Sequence, residues 1–201
     1  MANSIDLTKS QIFPVFPTMI VSGGETPTQD MIDWAYAEKN AATHNGNPFE
    51  TGRGTFQTEP ASHPKCLEHV IQKASDILND ICRCSFTHLP GWVTINPPNS
   101  SQSKHTHPGV EFACIYYIQC DENTGAIQLD HPDRHNAHSY IASLKPEVVQ
   151  TSGCGSYFDI QPAPGNLLVL PAYLPHQVLT NNSTMDRISY AWSVETNWAV
   201  R

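Results

Sequence analysis

Residues 105–119, HTHPGVEFACIYYIQ, place two histidines one residue apart at the head of an apolar run that ends in paired tyrosines. In extended backbone, side chains alternate between faces with period two, so His105 and His107 share a face and their imidazoles can converge. The run that follows, bounded by Pro-Gly and by a polar Asp-Glu-Asn cluster, reads as a strand.

The same period continues on both sides. GWVTIN (91–96), GAIQLD (125–130), SYFDIQ (156–161), NLLVLP (166–171), HQVLTN (176–181) and RISYAWSVE (187–195) are short apolar or alternating runs separated by Gly, Pro, Asn and Asp. Upstream the period changes. TPTQDMIDWAYAEKNAATHNG (26–46) opens on Thr-Pro with an acidic first turn and closes on Asn-Gly, the marks of a helix. In SHPKCLEHVIQKASDILNDICR (62–83), Leu67, Val70, Ile71, Ala74, Ile77, Leu78 and Ile81 follow i, i+3, i+4, i+7 spacing over four turns, which predicts an amphipathic helix. Two helices followed by seven or eight antiparallel strands suggest a mainly β, α+β domain: a sandwich or jelly roll with the helices packed on one sheet. One domain is expected over 1–201, with 1–89 as an N-terminal strand and helical cover and 90–201 as the β core. Residues 131–156, including HPDRHNAHSY and TSGCGS, read as a long loop.

Composition narrows the function classes. The formal net charge is −8 and the eleven Lys and Arg are scattered, which argues against nucleic acid as a partner. The start has neither a basic n-region nor an apolar h-region, and no stretch approaches the roughly 18 apolar residues that span a bilayer, so a soluble intracellular protein is expected. Six cysteines without a repeated CxxC predict reduced thiols, and the lone pair Cys82 and Cys84 is a weak metal signal. The sequons at Asn99, Asn181 and Asn182 carry no meaning in that setting.

A three-point metal face needs a third ligand, and PAYLPHQVLTN supplies His176 at the head of a strand. Imidazole suits iron, copper, nickel and zinc alike. The order of WVTINPPNSSQSKHTHPG, CIYYI, GNLLVLPAYLPHQV and DRISYAWSV resembles the Fe(II)- and 2-oxoglutarate-dependent oxygenases, in the branch with HxH, a later His and Arg-x-Ser, and more distantly the prolyl hydroxylases. The likeness covers roughly 90–197. It implies a double-stranded β-helix, a cupin-like jelly roll, that uses Fe(II), 2-oxoglutarate and O2 to hydroxylate an unactivated C–H bond with release of succinate and CO2. It further implies metal ligation by His105 and His176, and a distal carboxylate of 2-oxoglutarate resting on Arg187, with Ser189 and Tyr116 beside it and Asn96 nearby. A guanidinium fork fits a carboxylate bidentately, which gives that arginine a physical task.

Where the family at large has Asp or Glu, this chain has His107. Either His107 completes a three-histidine face, or Glu111 serves, since HTHPGVE also fits the cupin pattern HxH-x3-E. Two other classes stay open: a cupin-type metalloenzyme that uses Glu111 and no 2-oxoglutarate, and a non-catalytic β-sandwich binding protein. Tyr117, Trp92 and Trp192 read as core, and Asp130, Asp133 and Arg134 as mouth contacts or a solvated turn. The substrate, small molecule or peptidyl, and the oligomeric state are not encoded in any motif.

Overall fold

The computed structural model describes residues 18–44, 52–152 and 155–197, with backbone alone for 43–44, 134–138 and 150–152. The opening stretch 12–17, the Asn-Gly at 45–46 and Cys154 lie outside the described residues. The chain runs β1 (Val21–Gly24), α1 (Gln29–His44), β2 (Phe56–Gln57), α2 (Glu68–Ile81), β3 (Ser85–Asn96), β4 (Gln102–His105), β5 (Phe112–Gln119) and β6 (Ile127–Asp130). It continues through α3 (Arg134–Ser143), α4 (Pro146–Ser152), β7 (Tyr157–Ile160), β8 (Asn166–Pro171), β9 (His176–Val178) and β10 (Arg187–Asn197).

The strands form two antiparallel sheets, a large one ordered β1-β8-β5-β10-β3-β2 and a small one ordered β4-β9-β6-β7. Because strand side chains alternate, the large sheet has two apolar faces. On its outer face Val93, Ile95, Cys114, Tyr116, Ile118, Ile188, Tyr190 and Trp192 pack against Met31 and Ala35 of α1 and Val70, Ala74 and Leu78 of α2, the expected helical cover. On its inner face Ile115, Tyr117, Leu168 and Leu170 meet Ile127 and Leu129 of the small sheet. This is the helix-covered sandwich that the sequence pattern predicts. No helix among the described residues is long and apolar enough to cross a membrane.

Two elements differ from the sequence reading. β3 starts at Ser85 rather than near Gly91 and passes through Pro90; Trp192 faces Gly91 while Val194 faces His88, so Pro90 sits in a bulge where its missing N–H costs no ladder bond. The segment read as a loop, 131–156, holds α3 and α4. α3 has no side-chain N-cap and Ile141 is the only fully buried apolar residue among its described positions, so the periodic stripe that reveals a helix is absent there.

Candidate active site

β4 and β9 pair with His105 opposite His176, so both imidazoles point into the sandwich from the small sheet. His107 lies two residues on, where its backbone N–H donates to the Ala172 carbonyl at 2.9 Å and so ties it to the turn leading into β9. The ligand nitrogens of the three histidines all lie within 4.8 Å of one another. His107 Nε2 and His176 Nε2 are 3.4 Å apart. Two nitrogens at right angles on one ion, with bonds of about 2.1 Å, sit roughly 3 Å apart, close to the separation of this pair.

The ring orientations suit coordination. His105 Nδ1 faces the Ser103 carbonyl at 2.8 Å and His176 Nδ1 the Leu174 carbonyl at 2.9 Å. A carbonyl only accepts, so each Nδ1 carries the proton and each Nε2 keeps its lone pair for a metal. The ring of His107 stacks on Trp92, with centroids 5.9 Å apart. Burial, then the neighbouring imidazoles, pulls His107 down to about 4; burial, then His105, pulls His176 down to about 4. Both rings are therefore neutral near pH 7, the form a metal needs.

Glu111 does not join them. Its carboxylate accepts the backbone N–H of Thr196 at 2.7 Å, near the end of β10 remote from Arg187, and the only potential metal cluster among the described residues is the three histidines. The cupin-type ligand set is thereby corrected. Asp130 points to the opposite face of the small sheet from Leu129, and its carboxylate meets the ammonium of Lys104.

Deeper inside, β10 presents Arg187 and Ser189 to the inner face. Arg187 is 1% exposed, donates from Nη1 to the Gly125 carbonyl at 3.3 Å, and leaves Nε without a partner. Its Cζ lies 5.0 Å from the centre of the Tyr117 ring, whose buried hydroxyl also has no partner. Burial pushes the Tyr117 phenol up, an effect Arg187 partly offsets; burial likewise pulls the guanidinium below its ordinary value. Leaving such a charge desolvated and unpaired costs several kcal/mol, so this interior is built for an anion.

Tyr116 is not part of that interior. Its hydroxyl donates to the Glu25 carbonyl at 2.8 Å on the helix-covered face, because it is one residue out of phase with Tyr117, which stands opposite Ser189. The expectation for Tyr116 is thereby corrected, and it is Tyr117 whose ring lies by Arg187. Asn96 stands opposite Arg187, but Thr55 Oγ1 spends its proton on the Ser101 carbonyl and must accept from the Asn96 amide nitrogen at 2.7 Å. Asn96 therefore presents an oxygen, unpartnered and buried, which suits a guanidinium N–H and repels a carboxylate.

Two residues that shape the surroundings of Arg187 carry no chemical motif in the sequence. Asn181, fully buried, gives its amide N–H groups to the carbonyls of Asn96 at 2.8 Å and Met185 at 2.9 Å and accepts the Ser183 N–H, folding the turn that delivers the chain to Arg187. Its NNS context was read only as a sequon, whereas an Asx turn was the signal to follow. Gly125 has φ +80°, and a Cβ there would come within 2.3 Å of the Leu179 carbonyl, so only glycine lets that backbone reach the guanidinium.

Comparison with known proteins agrees with this architecture. A Pseudomonas putida prolyl-4-hydroxylase shares 18% identity at a TM-score of 0.56, over 90% of this chain and 94% of that one. The α-ketoglutarate-dependent carbocyclase SnoK of nogalamycin biosynthesis shares 10% at 0.63, over 88% and 79%. HygX from Streptomyces hygroscopicus, solved with nickel, 2-oxoglutarate and hygromycin B, shares 11% at 0.57, over 90% and 84%. Likeness at these identities establishes the fold, a double-stranded β-helix. No curated protein sequence matches the chain. The sequence profile described as "Putative 2OG-Fe(II) oxygenase" matches residues 91–193, half of the chain and the part that carries the three histidines, Tyr117 and Arg187. The chain belongs to the 2-oxoglutarate- and Fe(II)-dependent oxygenase family.

Proposed function

We propose that this chain is a 2-oxoglutarate-dependent dioxygenase that hydroxylates an unactivated C–H bond, with His105, His107 and His176 holding the metal and Arg187 anchoring the co-substrate. The observation that carries this reading is the buried Arg187 guanidinium, without a carboxylate partner, facing the same interior as the three imidazoles. Gly125, its hydrogen-bond partner, lies four residues before Leu129, the register neighbour of His176. That is at most about 13 Å of extended chain.

Ferrous iron bound there would supply the activation of O2 that is coupled to conversion of 2-oxoglutarate into succinate and CO2. The chain's own residues do the rest. Arg187 offers its fork to the distal carboxylate, and Tyr117 and Ser189 offer hydroxyls beside it. The Gly125 carbonyl holds the guanidinium, and the apolar wall of Ile115, Leu168 and Leu170 keeps water out. With three neutral ligands the metal keeps its full double charge, which favours an anionic chelate over a neutral one.

The test is succinate formation from 2-oxoglutarate by the iron-loaded protein. Arg187→Gln, which keeps a polar side chain in the buried slot, is expected to lower it at least a hundredfold at fixed 2-oxoglutarate, with iron content unchanged. Equal turnover in Arg187→Gln would refute the anchoring role.

A further inference from the structure

Register across the small sheet puts four residues in one row: His105 opposite His176, His176 opposite Leu129, and Leu129 opposite Phe158. Directly paired residues point to the same face, so Phe158 stands on the metal-facing side of this sheet. Leu129 is buried beneath, as a floor between them, and Ile160, two residues along the same face, packs into the inner core. Phe158 does not pack there: it is 59% exposed on the outermost strand. Adjacent strands are about 4.8 Å apart, so Phe158 lies two steps, roughly 10 Å, from His176.

Of the five exposed large hydrophobic side chains among the described residues, four fall on β7, on α3 and in the turn before β9. Tyr157 and Phe158 are on β7, Tyr140 is on α3 in the excursion between β6 and β7, and Tyr173 is in the turn that leads into His176. Trp92, partly exposed and stacked on His107, lines the opposite sheet.

We infer that Phe158 is a substrate-contact residue whose ring takes a flat, uncharged part of the substrate, on the same face of the small sheet as the histidines and two strands away from His176. This rests on the oxygenase reading above and names the substrate class it implies: a molecule carrying an uncharged ring or planar apolar group apart from its reacting carbon. A peptide adding as a further strand along β7 does not meet the same requirement. Its backbone would lie another step out, roughly 14 Å from His176, beyond the reach of most side chains.

Tyr157 provides the control. It is the next residue on the same strand and equally exposed at 56%, yet it is paired with Asp130 and points to the other face. The experiment loads the full chain with Co(II) and 2-oxoglutarate, checks cobalt uptake by its visible absorption, and records paramagnetic shifts of the proton resonances of added indole. Wild type and Tyr157→Ala are expected to shift indole alike, and Phe158→Ala at least fivefold less. Equal shifts in both variants, or shifts of tetramethylammonium in place of indole, would overturn the inference. Cobalt uptake without any indole shift removes Phe158 alone, whereas no cobalt uptake at the histidines removes the oxygenase reading and this one with it.

Discussion

Adjacent tyrosines on β5 make opposite predictions. Tyr117→Phe removes a hydroxyl that is buried and unpartnered in the unliganded protein, so stability toward denaturant is expected to hold or rise, because an unsatisfied buried hydroxyl costs about 1–3 kcal/mol. In the function proposed above, the same hydroxyl lies beside the carboxylate that Arg187 receives. A hydrogen bond to a charged group contributes about 1.5–3 kcal/mol, so 2-oxoglutarate should bind roughly 10- to 150-fold more weakly. The Phe ring retains the cation–π contact with Arg187, which isolates the effect to one oxygen. Tyr116→Phe reverses the pattern: it breaks the bond to the Glu25 carbonyl, should cost about 1 kcal/mol of stability, and should leave 2-oxoglutarate affinity unchanged. Urea unfolding and isothermal titration on the two variants read both quantities. Weakened 2-oxoglutarate binding in Tyr116→Phe, or unaltered binding in Tyr117→Phe, would refute the assignment of faces.

The remaining predictions concern the ligand set, the turn and the pH response. Glu111→Gln should keep one equivalent of metal while His176→Ala loses it, as measured by metal analysis after desalting; the opposite pattern would restore the cupin-type ligand set. Asn181→Ala strands two buried carbonyls and one N–H and should cost about 2–4 kcal/mol in chemical denaturation, with weaker 2-oxoglutarate binding because the turn before Arg187 loosens. His88 accepts the Trp192 indole N–H on Nδ1 and is pulled down to about 4 by burial, with His63 adding to it. The folded protein thus binds fewer protons than the unfolded chain between pH 6.5 and 4. Stability is fully present above about 6.5 and is lost as pH falls through that window. His88→Asn, which keeps an acceptor for Trp192 without a titrating ring, should flatten that decline by at most about 1.4 kcal/mol per pH unit; an unchanged slope in denaturant midpoints would contradict it.

The β core was legible because its strands carry strong period-two runs closed by Gly, Pro and Asn, and each of the seven runs from Gly91 onward appears as a strand. α2 was legible for the same reason at period 3.6. α3 and α4 were not, because a helix that buries so little leaves no stripe to read. Within the site, spacing alone brought His105, His107 and His176 into consideration, and their convergence required the pairing of β4 with β9. Tyr116 and Tyr117 could not be told apart in sequence, since both are fully buried and only the register with Ser189 sets their faces. The roles of Asn96 and Asn181 depend on which hydrogen bonds their neighbours have already spent, a property of tertiary structure that no motif records.

The central claim is that three histidines and a buried arginine form one site for iron and 2-oxoglutarate. Anaerobic titration of metal-free protein with Fe(II) and then 2-oxoglutarate tests it directly, through the weak visible charge-transfer absorption that 2-oxoglutarate gives on chelating ferrous iron. The absorption should saturate at one equivalent of each, vanish in His176→Ala, and in Arg187→Gln require far higher 2-oxoglutarate. Iron binding without that absorption, or identical titrations in wild type and Arg187→Gln, would contradict the account.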